Sequence, residues 1–297
     1  MKRIEIRDVG PRDGLQSEEP ISASLRAALA NDLAAAGVSH VEAAAFVSPK
    51  AVPAMAGAAE VIAALEPNAA TWWALVPNRR GAEMALQAGV HHLTVTLSAS
   101  PVYSEKNVGM TVQDSITQVE SILGLDDRLV VDAVVSCAFG SSFGDEVTVE
   151  QVVNVCASLR GIGVHQLTLA DTTGTATPRR IAAVLERTGV DVGLHLHDTR
   201  GTALVNAYEA VRMGVTHFDT ALGGLGGSPF APGATGNLAT EDLVLLLEDE
   251  GYATGINMQS LLAASARLAA ILGRELPSRV ARAGALPIFA DRMTPPG

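Results

Sequence analysis

At 297 residues, 48% hydrophobic and 18% charged, the chain is long enough to bury a sizeable core as one barrel or two smaller domains. Its formal charge of −11, without any Lys/Arg cluster, argues against nucleic-acid and anionic-membrane partners and leaves metabolite chemistry as the better expectation. Cys137 and Cys156 are its two cysteines, which excludes a disulfide framework and a Cys-x-x-Cys zinc site and fits a reducing cytoplasm.

The N-terminus, Met1-Lys2-Arg3-Ile4-Glu5-Ile6, enters a strand-like alternation without the apolar stretch of a signal peptide, and no later run approaches a membrane span. Strand-like segments then recur at 3–8, 38–44, 72–76, 92–97, 129–137, 166–169, 192–197 and 216–220, each followed by helical periodicity. Thr148 with Gln151 reads as a capping box, Thr177-Pro178 as an N-cap followed by proline, and Gly37, Gly89 and Gly214 as helix stops. Eight strand-helix units imply parallel strands with right-handed crossovers, so the expected fold is an α/β chain forming a (β/α)8 TIM barrel. A doubly wound sheet is the alternative. It would carry a glycine-rich phosphate loop after an early strand, and Gly10-Pro11-Arg12-Asp13-Gly14 lacks that form. The barrel is expected over about residues 3–250, with a helix at 259–272 inside an appendage spanning about 251–297 and the whole chain forming one catalytic domain.

A barrel places its chemistry at the carboxyl ends of the strands. Arg12 and Asp13 follow the first strand, Glu42 lies late in the second, and Ser98 follows the fourth. Ser136 and Cys137 end the fifth, Asp171 ends the sixth, and Asn237 lies in the long loop after the eighth. In Gly193-Leu194-His195-Leu196-His197-Asp198 strict alternation sends both imidazoles to one face of a strand. Such a pair is either a ready divalent-metal site or two hydrogen-bonded core histidines. A carboxylate, two imidazoles and an amide oxygen suit Mg²⁺, Mn²⁺, Co²⁺ or Zn²⁺, although singly Asp13 could cap a turn, Asp171 a helix, and Asn237 could hold a left-handed turn. The glycine- and proline-rich stretch 222–237 reads as an active-site flap.

Val9-Gly10-Pro11-Arg12-Asp13-Gly14-Leu15-Gln16, Val41-Glu42-Ala43 with Phe46-Val47-Ser48-Pro49-Lys50, and Ser98-Ala99-Ser100 with Lys106-Asn107 carry a family resemblance. Asp171-Thr172, His195-Leu196-His197-Asp198 and the segment from Gly223 through Asn237 to Asp242 complete it. Together they resemble the 3-hydroxy-3-methylglutaryl-CoA lyases, metal-dependent TIM-barrel carbon–carbon lyases, over nearly the whole chain. The resemblance implies a divalent metal, Mg²⁺ or Mn²⁺ before Co²⁺ or Zn²⁺, on Asp13, His195, His197 and Asn237, with Arg12 as the catalytic cation. Glu42 and Asp171 would order the site or move protons. The implied partner is an acyl-CoA substrate, cleaved by a retro-Claisen reaction to acetyl-CoA and acetoacetate in leucine catabolism, and the implied assembly is a cytoplasmic homodimer. The sequence departs from the family at Ser228, where the lyases carry a flap cysteine thought to protonate the enolate product, at Ala45, and at Ser141-Ser142. Water or His195 would then deliver the proton, or the substrate or rate would differ. A related metal-dependent aldolase or Claisen-condensing enzyme, and a catalytically impaired acyl-CoA-binding barrel, are the competing readings.

Overall fold

The computed structural model describes residues 1–227 and 236–284. Its strands are β1 (Glu5–Asp8), β2 (His40–Ala45), β3 (Thr71–Leu75), β4 (His92–Ser98), β5 (Val130–Ser136), β6 (Gln166–Ala170), β7 (Gly193–His195) and β8 (His217–Thr220). All pair in parallel with their sequence neighbours, and β8 returns to β1 in the register Glu5↔His217 to Asp8↔Thr220, closing the TIM barrel. Helices α1 (Ala23–Ala35), α2 (Ala58–Ala63), α3 (Arg79–Gln87), α4 (Pro101–Val108), α5 (Val112–Leu123), α6 (Val149–Gly161), α7 (Pro178–Thr188) and α8 (Ala203–Met213) connect successive strands. After β8 come α9 (Thr240–Asp249), α10 (Met258–Leu272) and α11 (Arg279–Ala283).

The strands alternate as a barrel requires. Ile6, Val41, Leu93, Val131, Leu169 and Leu194 are buried beneath the helices, where each such side chain contributes roughly 1.5–3 kcal/mol relative to exposure. The intervening positions Arg7, Glu42, Asp132, Thr168, His195 and Asp219 are also buried but polar. Two layers of opposite character therefore share the same short strands. The capping box of Thr148 and Gln151 forms as expected at the start of α6. Thr177 precedes α7 without a side-chain cap bond, so the fixed φ of Pro178 favours that helix start.

The strand boundaries shift from expectation by one or two residues, and two of these shifts have a cause in the pairing. Arg3 bridges to Ala253 before the barrel begins, which leaves β1 to start at Glu5. At the other end of the sheet β7 stops at His195, because the next residues pair with the segment after the flap: His197 bridges antiparallel to Asn237, and Leu238 N–H donates to Leu196 O at 2.9 Å. That change of partner carries Asn237 to the histidines. Among the described residues no helix is long and apolar enough to cross a membrane.

Candidate active site

The chain leaves β1 through a tight helical turn, Gly10–Gly14, whose Arg12, Asp13 and Gly14 amides all point at Val9 O. This turn lifts Arg12 and Asp13 over the barrel mouth. Arg12 Nε donates to Glu42 Oε2 at 2.5 Å and Arg12 Nη1 to Asp13 Oδ1 at 2.6 Å, fixing the guanidinium between two carboxylates. Gln16 Nε2 donates to the same Asp13 oxygen at 2.9 Å, while Asn237 Nδ2 donates to Asp13 Oδ2 at 2.7 Å. His195 and His197 face each other with Nε2 atoms 3.1 Å apart. Ligand atoms of Asp13, His195 and His197 lie within 4.8 Å of one another, and all three residues are buried.

The electrostatics suit a cation held at this point. Burial opposes ionisation of Asp13, but Arg12 and the two histidines outweigh it and hold the carboxyl below the usual carboxylate range. Burial, followed by repulsion from His195, pushes His197 down to about 4, which leaves the neutral imidazole a metal needs. Burial also disfavours the Arg12 charge, yet Glu42 and Asp13 more than offset it. Asn237 Oδ1 is buried with no hydrogen-bond partner, an acceptor that an ion would satisfy. The flap backbone closes on the same atoms: a Cβ at Gly226, where φ is +107°, would lie 2.4 Å from Asn237 Nδ2 and 3.2 Å from Asp13 Oδ2. The donor set of one carboxylate, two imidazoles and one amide oxygen therefore fits a divalent metal.

Asp171 follows β6 directly. Its Oδ1 accepts from the amides of Thr175 and Ala176 at 2.8 and 3.0 Å, the capping role open to it from sequence, but its Oδ2 is buried and unpartnered. Burial raises its pKa to about 6. Ser98, Ser136 and Cys137 are not joined to this cluster. Ser98 Oγ donates to Ser136 O, and the Cys137 thiol is pushed up to about 12 by burial. Ser228 lies outside the described residues.

Sequence reasoning missed Gln16 and, more consequentially, Asp219 and Arg7. His195 Nδ1 lies 3.2 Å from Asp219 Oδ2, and Arg7 donates to both Asp219 oxygens at 2.8 and 2.9 Å. Their signal was a charged residue directly following a buried apolar one, Ile6 or Phe218, in a short strand. A cavity of about 410 Å³ at the opposite, amino-terminal mouth is lined by Glu5, His40, His217 and their neighbours; the metal-ligand candidates are not there.

A family model described as HMGL-like matches residues 3–268. The chain belongs to the HMGL-like family. Among relatives of this HMGL-like chain, the hydroxymethylglutaryl-CoA lyase of Bacillus subtilis is 38% identical over 287 residues, covering 94% of this chain and 96% of that one. The (R)-citramalyl-CoA lyase of Chloroflexus aurantiacus is 41% identical over 304 residues, 96% of each. A solved structure of an HMG-CoA lyase from Acinetobacter baumannii in complex with coenzyme A and 3-methylmalate matches with a TM-score of 0.91 at 36% identity, covering 96% of both chains. These named relatives are carbon–carbon lyases.

Proposed function

We propose that this protein is a divalent-metal-dependent carbon–carbon lyase that cleaves 3-hydroxy-3-methylglutaryl-CoA, or a close 3-hydroxyacyl-CoA, by a retro-Claisen reaction. The observation that carries the proposal is the meeting of Asp13, His195, His197 and the unpartnered Asn237 oxygen beside a guanidinium held by Glu42. Asp13, His195, His197 and Asn237 would hold Mg²⁺ or Mn²⁺. When bound, the ion supplies Lewis acidity that lowers the pKa of the substrate's 3-hydroxyl.

Asp171 offers a carboxylate oxygen free of partners and a pKa near 6, suited to taking the hydroxyl proton at neutral pH. Cleavage of C2–C3 then yields a ketone and leaves the electron pair as a thioester enolate. Arg12 sits where a fixed charge would stabilise that enolate. Glu42 keeps Arg12 in place, since its Oε2 is committed to Arg12 Nε. Protonation of the enolate carbon gives acetyl-CoA, and with 3-hydroxy-3-methylglutaryl-CoA the other product is acetoacetate. With Ser228 at the flap position, water delivers that proton, since His195 has one ring nitrogen committed to the ion and the other to Asp219. A cytoplasmic homodimer serving leucine catabolism is the setting the family resemblance implies.

The citramalyl-CoA lyase relative, 41% identical, favours testing that thioester alongside. Mn²⁺-loaded and EDTA-treated protein are incubated with 3-hydroxy-3-methylglutaryl-CoA and with citramalyl-CoA, and acetyl-CoA and the keto acid are followed. EDTA-sensitive cleavage of either substrate supports the proposal and selects between them. Folded, metal-loaded protein that cleaves neither overturns it.

A further inference from the structure

The barrel register places three polar residues in one row across adjacent strands: His195 of β7 is the partner of Asp219 on β8, and Asp219 is the partner of Arg7 on β1. Each step of the row is a side-chain contact. His195 Nδ1 meets Asp219 Oδ2 at 3.2 Å, and Asp219 accepts from Arg7 Nε through Oδ1 and from Arg7 Nη2 through Oδ2. Arg7 is itself held from the far side, where Nη2 also donates to Asp132 Oδ2 at 2.7 Å and the guanidinium lies 4.9 Å from the Trp73 ring centre. All three residues of the row are at most 7% exposed, with Arg7 and Asp219 bordering the cavity at the amino-terminal mouth.

We infer that Asp219, clamped by Arg7, is a positioning residue that holds the His195 ring proton on Nδ1 and so keeps the Nε2 lone pair turned toward His197 and Asp13. The inference rests on reading His195 as a metal ligand. A carboxylate bonded to an arginine offers only acceptors, so the hydrogen between it and His195 must belong to the ring. A carboxylate behind a ligating histidine fixes ring orientation and makes the other nitrogen a better ligand.

Replacing Asp219 with asparagine removes the carboxylate behind His195 and keeps the side chain's shape. Arg7 Nε has one hydrogen, which Asp219 Oδ1 accepts; Arg7 Nη2 has two, one accepted by Asp132 Oδ2 and one by Asp219 Oδ2. The asparagine amide therefore leaves one Arg7 N–H unmet whichever way it turns: with its oxygen toward Nε its NH₂ group donates to His195 Nδ1, and with its oxygen toward Nη2 that neutral oxygen accepts from His195 Nδ1. Either the ring proton moves to Nε2, into the 3.1 Å gap before His197 Nε2, or it stays on Nδ1 without a carboxylate behind it, and both weaken Nε2 as a ligand. Asp132→Asn is the matched control: it removes the same charge from the same arginine without touching His195.

The test uses metal-free protein with ¹⁵N-labelled histidine, reading the His195 tautomer from long-range ¹H–¹⁵N correlations, and calorimetric Mn²⁺ titration of the same samples. Wild type and Asp132→Asn are expected to carry the His195 proton on Nδ1, and Asp219→Asn to bind Mn²⁺ about 10–100-fold more weakly, whichever tautomer it shows. An unchanged Mn²⁺ affinity in folded Asp219→Asn overturns the inference, as does a wild-type His195 protonated on Nε2 alone or an equal loss of Mn²⁺ affinity in Asp132→Asn. If Asp219→Asn does not fold, the wild-type tautomer decides, and a His195 protonated on Nε2 overturns the inference. Failure of wild type to bind Mn²⁺ instead overturns the metal centre itself, a separate result.

Discussion

Glu241→Gln should change how the stability of this protein depends on pH. Glu241, in the first turn of α9, is fully buried; both its oxygens accept from Gly223 N–H, at 2.9 and 3.0 Å, and Ser265 Oγ donates to Oε1. Burial dominates these bonds and raises its pKa from 4.5 to about 7, with Asp8 adding repulsion. A folded-state pKa above the unfolded value means the folded protein binds the extra proton. The associated stability is therefore full below about pH 4.5 and lost as pH rises through about 7. At 1.36 kcal/mol per tenfold change in proton affinity the loss is on the order of 3 kcal/mol. Asp8, raised to about 6 by burial, loses stability in an overlapping window, so the informative quantity is the difference between wild type and variant. Urea unfolding from pH 4.5 to 8.5, in EDTA so that metal binding does not enter, should show that difference moving by roughly 3 kcal/mol in favour of Gln at high pH. A difference that stays flat over the window refutes the assignment of a buried proton to Glu241.

Arg12→Lys keeps the charge but not the fork that joins Glu42 and Asp13; kcat should fall roughly 10²–10³-fold with KM little changed, measured by steady-state acetyl-CoA release. Gly226→Ala places a methyl 2.4 Å from Asn237 Nδ2 at a φ of +107°, so a stability loss of about 1–3 kcal/mol and weaker Mn²⁺ binding are expected in melting and calorimetric measurements. Ser228→Cys should raise kcat if protonation of the enolate limits turnover, since a thiol of pKa about 8.5 is a far stronger acid than an alkyl hydroxyl; an unchanged rate places the slow step elsewhere.

The barrel was legible because period-2 alternation and helical periodicity are local signals, and eight of them in succession leave few topologies. His195 and His197 were legible for the same reason, since residues two apart share a face even though the strand itself ends at His195. Asp13 and Arg12 were visible as polar residues just after a strand, but the sequence could not show that a helical turn, Gly10–Gly14, folds them back over the mouth. Asn237 was expected at the site on its position in the loop after the eighth strand and on the family resemblance. The structure supplies the cause: the chain after the flap pairs with residues 196–198 in place of an extended β7.

Asp219 and Arg7 were missed for a different physical reason. Their partners lie in other strands, at separations of 24 residues for His195 with Asp219 and 212 for Arg7 with Asp219, and only the closure register brings them level. A buried charge on a short strand is costly unless it is paired, so the sequence did contain a constraint: Arg7, Asp132 and Asp219, each on an inward position, had to meet one another or something else. One arginine against two carboxylates leaves that interior with an excess of negative charge. Asp219 is the carboxylate that contacts His195, and the excess is therefore directed at the imidazole and through it at the candidate metal site. The polar inner layer, costly as a structural core, thus extends the candidate site downward through the barrel.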